Sequence, residues 1–236
     1  MIKGDLRKKQ ILETAESLFS ERGYEATGVQ DILDVLHLSK GSFYHHFESK
    51  ETVLQKICEN RARLASGRME KESFPDGLSR MNHLLSGMIP FQGEGMNFIK
   101  MILPVFVLPE GRSIRYAYQD AIKACWLPQV EDALIQMIEQ KQAYAVYPEN
   151  TAAIAVDLVN DLWDQIGQLM IQTEKNAREK ASPASLMTLV EPYRYALENL
   201  FSAPYGSIEL INLEGLSHTV EEIHNWWMVD PQGNIS

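Results

Sequence analysis

The fold is decided by the stretch Leu38-Ser-Lys-Gly-Ser-Phe-Tyr-His-His-Phe-Glu-Ser-Lys50. Ser39 is a good N-cap residue, so a short helix is predicted from Lys40 to Phe47. Phe43 and Phe47 are four residues apart and face the core together, whereas the polar side chains between them point elsewhere. The helix starts with a cation, a glycine and a small hydroxyl, and the free N–H groups at a helix start attract anions. The stretch therefore predicts a helix that can lie against phosphate groups.

Amphipathic helices flank this stretch on both sides. Apolar residues recur at helical spacing and predict a first helix from about Gly4 to Arg22, which Gly23 ends. A second, short helix is predicted to begin after Thr27-Gly28 and to end at His37. Ser49 can cap a fourth, longer helix. Two short helices joined by a tight turn form the helix-turn-helix arrangement that places its second helix in the major groove of DNA.

These segments together resemble the N-terminal domain of the TetR family of bacterial transcriptional regulators. The resemblance runs without gaps from about Arg7 to Leu54, and it includes Gly23-Tyr-Glu-Ala-Thr27 and Asp31-Ile32 beside the stretch quoted above. It implies a homodimer that binds a palindromic double-stranded DNA operator and represses transcription until a small-molecule effector releases it. It also implies DNA contacts at nine residues, which are Thr27, Ser39, Lys40, Gly41, Ser42, Tyr44, His45, His46 and Lys50.

Three residues depart from the family's pattern. Val29 stands where many relatives have a hydroxyl group that contacts phosphate, and Leu33 replaces a typical small residue between the two short helices. His37 stands where the turn usually has glycine, so it is expected to adopt a positive φ, which histidine tolerates better than most residues. These departures leave the assignment intact.

Several of the implied contact residues also have simpler interpretations. Tyr44 could cover the edge of the domain instead of contacting phosphate. His45 and His46 could suggest a metal ion, but adjacent helical residues diverge by about 100° and no third ligand is nearby. No metal or cofactor is therefore expected. Two interpretations stay open for the basic residues near the start of the first helix: they are either solvated or in contact with flanking DNA. These residues are Lys3, Arg7, Lys8 and Lys9.

The chain is predicted to be all-α, with an N-terminal three-helix helix-turn-helix DNA-binding domain over residues 1–50. A larger helical domain for effector binding and dimerisation follows over residues 51–203, and a C-terminal extension covers 204–236. Beyond residue 72, helices are predicted at Leu78–Ile89, Gly93–Leu108, Arg112–Gln142, Thr151–Asn176 and Ser185–Phe201.

The last two of these helices occupy the place where relatives form a four-helix bundle between subunits. Their apolar side chains are expected to provide its surface, among them Val156, Val159, Trp163, Ile166, Met170, Leu189, Leu197 and Leu200.

An effector pocket is expected in the larger domain. One helix face carries Asp157, Asp161, Asp164 and Gln168. If this face lines a cavity, a carboxylate there would favour a cationic effector. The alternative is that the face is solvated. Aromatic and methionine side chains could line an adaptable pocket, although such residues more often form plain core. The predicted pocket residues are Met101, Phe106, Tyr118, Trp126, Asp161, Trp163, Asp164 and Gln168.

Composition narrows the classes of protein. The 236 residues are 45% apolar, yet no apolar run reaches the roughly 18 residues that a membrane span needs. The two cysteines exclude a disulfide scaffold and suit a reducing cytosol, so a cytoplasmic protein without a membrane partner is expected.

The charge is distributed unevenly. Residues 1–72 carry 12 basic and 12 acidic side chains, and the remaining residues, with 10 and 20, account for the whole net charge of −10. A neutral domain on an acidic body permits a local DNA-binding face. Nucleotide-binding, serine-hydrolase and zinc-protease motifs do not occur, so no catalytic residue is assigned. A helical adaptor or an enzyme on the same fold remains the alternative function.

Overall fold

The computed structural model describes residues 3–69, 72–88, 98, 101–102, 111–175, 182–211, 218 and 220–222. None of these residues lies in a strand, and the prediction of an all-α chain is confirmed. Eight helices lie within the described ranges: α1 Lys3–Arg22, α2 Val29–Leu36, α3 Lys40–Tyr44, α4 Lys50–Met69, α5 Gly77–Gly87, α6 Arg112–Glu139, α7 Pro148–Lys175 and α8 Pro183–Phe201.

The N-terminal unit consists of α1 to α4, which bury apolar side chains against one another. Ile11, Phe19, Ile32 and Phe43 are almost completely buried in it, together with the first apolar turn of α4. Leu33 is also buried, so the larger side chain at this position fills space between the helices. The other three helices leave α3 on the outside of the unit.

Local signals set the ends of the short helices. His37 ends α2 with φ of 51°, the left-handed conformation expected at this turn. The Ser39 hydroxyl accepts a hydrogen bond from the Ser42 N–H at 3.2 Å and begins α3, as predicted. α3 ends at Tyr44 rather than at Phe47, because the chain tightens there: the His46 N–H donates to the Phe43 carbonyl three residues back, at 2.8 Å.

The larger domain is built around α6. Helices α4, α5 and α7 pack against it, and α8 packs against α7. α6 ends at Glu139, three residues before the predicted end. The Gln140 and Gln142 side chains accept hydrogen bonds from the Gly77 and Leu78 N–H groups, at 2.7 and 3.1 Å, and so cap the start of α5.

Other boundaries shift by a few residues. α7 and α8 begin at Pro148 and Pro183, because proline is well tolerated in the first turn of a helix. α5 ends at Gly87, and the predicted last residue, Ile89, lies outside the described residues. Of the predicted helix over 93–108, only residues 98, 101 and 102 are described, and they are helical.

The first part of the C-terminal extension packs on the larger domain. Ile208 and Leu210 are buried. The Asn82 side chain donates to the Ser207 carbonyl at 2.9 Å and accepts from the Glu209 N–H at 3.1 Å. Glu198 of α8 accepts hydrogen bonds from the N–H groups of Gly206 and Ile208. These contacts attach residues 206–210 to α5 and α8, while the Trp226-Trp227 pair lies outside the described residues.

Part of one expectation about the last two helices is wrong. Val156, Val159, Ile166 and Leu197 are fully buried inside the single chain, so they cannot form a surface for a second copy. These side chains are covered because α7 packs against both α6 and α8. No helix within the described part of the chain is long and apolar enough to cross a membrane.

Candidate functional site

The outward side of α3 carries the polar residues that the sequence pattern singles out. Lys40, Gly41 and His45 are exposed, and 53% of Tyr44 is accessible. Phe43 points inward and meets the Tyr44 ring edge-on, with 5.4 Å between ring centroids. The fold thus anchors the helix through its phenylalanines and leaves one polar face open.

The start of α3 is open to a ligand as well as polar. Ser39 is exposed and Ser42 is half-buried, and their mutual hydrogen bond fixes the first turn. A Cβ atom added to Gly41 would meet no heavy atom within 4 Å outside its own helix backbone and chain neighbours. The fold therefore does not require glycine at this position, and the missing side chain leaves room for close approach to the backbone.

Thr27 lies in a different environment from the other predicted contact residues. Its side chain is buried, and its hydroxyl donates to the carbonyls of Gly23 and Leu18, at 2.8 and 3.3 Å. This hydroxyl holds the connection between α1 and α2 and is not available to an external phosphate. A structural role explains Thr27 fully.

Lys50 reaches across the domain at the start of α4. Its Nζ atom donates to the Tyr24 carbonyl at 2.8 Å and lies 4.1 Å from the centre of the Tyr24 ring. Burial and the nearby Glu51 carboxylate raise the pKa of Tyr24, so the ring stays neutral. An ammonium group has three protons to donate, so Lys50 can hold this turn and still face an anion.

The beginning of α1 lies beside the end of α3. The Lys8 Nζ atom is 5.5 Å from the centre of the Phe47 ring. His46 is half-buried, and a Cβ atom added to Gly4 would lie 4.0 Å from its Cε1 atom. The centroids of the His45 and His46 rings are 5.1 Å apart. Within the described ranges, no group of three or more His, Cys, Asp or Glu side chains could hold a metal ion. Lys8 of α1 thus lies close to the residues that follow α3.

A buried aromatic core lies in the larger domain. The Tyr118 and Trp163 rings meet edge-on with centroids 5.6 Å apart, and Phe98 lies 6.1 Å from Tyr118 on the other side. The Trp163 indole N–H donates to the Asn160 side chain at 3.1 Å. We call Phe98, Tyr118 and Trp163 the aromatic core. Met101 and Trp126 are also buried, whereas the predicted pocket residue Phe106 lies outside the described residues.

The carboxylates of α7 occupy two different environments. The side chain of Asp164 is only 15% exposed, lies 3.4 Å from the Arg115 guanidinium and accepts a hydrogen bond from Gln168 at 3.2 Å. Burial raises the pKa of Asp164, and the Arg115 charge opposes this rise. Asp161 is exposed and accepts a hydrogen bond from the Tyr193 hydroxyl of α8. Asp161 lies on a surface groove between α6 and α7 rather than beside the aromatic core.

Comparison with known proteins identifies the family. The family model of the bacterial regulatory proteins of the tetR family matches residues 11–57. The uncharacterised HTH-type transcriptional regulator YerO of Bacillus subtilis is 30% identical over 118 residues, which are 48% of this chain and 41% of YerO. The HTH-type transcriptional repressor DhaR of a Mycobacterium species is 35% identical over 92 residues, 37% of this chain and 46% of DhaR. The chain carries the N-terminal domain of the TetR family.

The chain covers less than half of the length of either of these two relatives. The likeness to solved structures extends over more of the chain. A TetR-family transcriptional regulator from Pectobacterium atrosepticum superimposes with a TM-score of 0.62 over 86% of this chain and 97% of that protein, at 20% identity. RolR in complex with resorcinol superimposes with a TM-score of 0.58 over 93% of each chain, at 12% identity. At these identities the likenesses show the fold alone. The relatives are regulators and not enzymes.

The sequence did not predict several side-chain contacts in and near the predicted pocket. Arg115 pairs with Asp164, and nothing in the sequence joins residues that lie 49 positions apart on two helices. Asn160 accepts from Trp163 within one helix, so the i, i+3 spacing could have indicated that contact. Arg61 binds Glu16 of α1 through Nε at 2.6 Å, a second long-range pair without a local signal.

Proposed function

We propose that this TetR-family chain is a ligand-responsive transcriptional repressor that binds a palindromic operator as a homodimer and releases it when a small molecule binds. The observation that carries the proposal is the open polar face of α3, held outward by the buried Phe43 and Phe47. Such a regulator acts on the chromosome, which lies in the bacterial cytoplasm.

The two ends of α3 suggest two kinds of DNA contact. At its start, the bare backbone of Gly41 and the exposed Lys40 suit phosphate oxygens, which accept hydrogen bonds from N–H groups at a helix start. Further along, the exposed Tyr44 and His45 can donate to phosphates or to the edges of bases. We retain the predicted contact set for α3 and Lys50, and we omit Thr27 because its hydroxyl is already bonded inside the domain.

Dimerisation would use the outer surface of α7 and α8. Apolar side chains are exposed there in the single chain: 50% of Ile154 on α7 and 58% of Tyr195 on α8 are accessible, and Leu158 is half-buried. These residues replace the fully buried ones as our proposed contact surface. In a two-fold symmetric dimer, the two copies of α3 would lie in major grooves about one helical turn of DNA apart, or a multiple of it.

The aromatic core and the adjacent polar side chains are the proposed effector-binding region. Phe98, Tyr118 and Trp163 offer flat apolar surfaces, and Asp164 lies one residue beyond Trp163 on α7. Because Arg115 already balances the charge of Asp164, we favour an uncharged aromatic effector over the cationic one that an isolated carboxylate would attract.

A selection experiment tests the proposal. The purified protein is incubated with a pool of random-sequence duplexes, and the bound fraction is amplified and sequenced. We expect an inverted repeat, bound by two chains per duplex in sedimentation experiments. The logarithm of the affinity should fall linearly with the logarithm of the salt concentration, by about 0.9 for each neutralised phosphate. Failure to enrich any sequence, with the protein folded, would favour the helical adaptor instead.

A further inference from the structure

A continuous series of contacts runs from the aromatic core to the DNA-binding domain through one side chain of α4. The Arg61 guanidinium contacts Glu16 of α1 from one side: its Nε and Nη2 atoms lie 2.6 and 2.5 Å from the Glu16 Oε1 atom. From the other side, its Cζ atom lies 5.6 Å from the centre of the Phe98 ring. Arg61 is therefore in contact with both domains at once.

The two ends of this series are packed tightly. Phe98 touches Tyr118, and Tyr118 touches Trp163, and all three rings are buried. Closely packed side chains cannot move independently, so a shift of one ring displaces the next. The Arg61 charge also reaches Tyr118, because it opposes the rise in the Tyr118 pKa that burial causes. At the other end, α1 shares its core with Phe43 of α3.

Two other polar contacts of α4 run elsewhere. Gln129 of α6 donates to the Ser66 hydroxyl at 2.5 Å, which joins α4 to α6 but does not reach α1. Lys56 and Glu59 pair within α4 itself. The Arg61–Glu16 pair is a charged contact that bridges α4 and α1.

We propose that Arg61 is the positioning residue through which the aromatic core and the DNA-binding domain sense each other's state. Arg61 touches neither the operator nor the effector in this scheme. It sets the position of α1 through Glu16, and it follows the aromatic core through Phe98. The inference rests on the proposed function, because the operator is the ligand that reports on the connection. Coupling between two sites is reciprocal, so operator binding must change the aromatic core if the core controls operator binding.

The test uses a selected operator duplex as the probe and hydrogen–deuterium exchange of residues 114–126 as the readout. In the parent protein, saturating duplex should slow exchange in this segment of α6 on the order of fivefold, the lower end of typical coupling between sites. Glu16→Gln should abolish the difference. Glu59→Gln is the matched control, because it removes the same charge from another paired glutamate. The Glu59 side chain is 28% exposed and that of Glu16 is 26% exposed. The control variant should keep the operator-induced difference in exchange.

Arg61→Gln provides a second, independent variant. It should lose the operator-induced difference as Glu16→Gln does, and the double variant should lose no more than either single one. Circular dichroism confirms that each variant is folded. If the parent binds no duplex, the proposed function itself fails. If the parent binds but shows no protection, or if both variants keep the parent's protection, the role of Arg61 is wrong and the proposed function stands.

Discussion

Replacing Gly41 by alanine separates DNA contact from folding more cleanly than any other change at α3. The substitution adds one methyl group at a position where a Cβ atom meets nothing within 4 Å. Among the described glycines only Gly23 and Gly206 have positive φ, so alanine causes no backbone strain at residue 41. Because alanine has less conformational freedom in the unfolded chain, the free energy of unfolding should rise by about 0.4–1 kcal/mol.

Operator binding should change in the opposite direction. If a phosphate oxygen lies against the bare backbone at the start of α3, the methyl group must displace it. A hydrogen bond to a charged group contributes about 1.5–3 kcal/mol. Since 1.4 kcal/mol corresponds to a factor of ten, the operator affinity should fall by about ten- to a hundredfold.

Fluorescence anisotropy with a labelled operator duplex at fixed salt measures the affinity, and thermal unfolding measures the stability. Gly67→Ala is the matched control, because Gly67 lies within α4 and an added Cβ also meets nothing there. It should raise stability without changing operator affinity. An affinity for Gly41→Ala within twofold of the parent, together with raised stability, would refute close approach of DNA to this backbone.

Four further predictions each concern one side chain. Lys40→Ala should make the log–log salt dependence of operator binding shallower by about 0.9 without changing the melting temperature, because Lys40 is exposed. Lys50→Met should make the salt dependence shallower in the same way. It should in addition reduce the free energy of unfolding by about 1 kcal/mol, because it removes the hydrogen bond to the Tyr24 carbonyl. His37→Gly should raise the free energy of unfolding by about 0.5–1 kcal/mol in urea titrations, since glycine adopts φ of 51° without steric strain, and a decrease would show that the histidine side chain stabilises the turn. Asp164 has a pKa that burial raises above its unfolded value, so its stabilising effect is present at low pH and is lost as the pH rises through the folded-state pKa. As the pH is lowered towards 4, the free energy of unfolding of Asp164→Asn should therefore fall relative to that of the parent. Identical dependence of the free energy of unfolding on pH in the two proteins would contradict this prediction.

Local signals in the sequence predicted the DNA-binding domain well. Ser39 and Ser49 cap their helices through hydrogen bonds to residues three positions on, which is a relation that sequence spacing reveals directly. His37 ends α2 with positive φ because the turn geometry demands it, whatever residue occupies the position. The early end of α3 was not predictable in the same way, since Phe47 is buried whether the last turn is helical or tighter.

The larger domain was predictable only as a set of helices. Asp157, Asp161 and Asp164 form one stripe in the sequence, but they have different partners in space: Lys123 of α6, Tyr193 of α8 and Arg115 of α6. Which part of a stripe is solvated depends on the helices packed beside it, and periodicity carries no information about those neighbours. The same reason explains why residues assigned to a dimer surface lie inside the chain.

The attachment of residues 206–210 to α5 and α8 has a consequence for the order of biosynthesis. Helices α1 to α4 leave the ribosome before α5 to α8, and the larger domain lacks Ile208 and Leu210 until about 140 residues later. At typical elongation rates of about 5–20 residues per second, that interval lasts on the order of ten seconds. During this time a nascent chain presents the helix-turn-helix segment before the body that packs against α4 is complete, while it is still attached to the messenger RNA that encodes it.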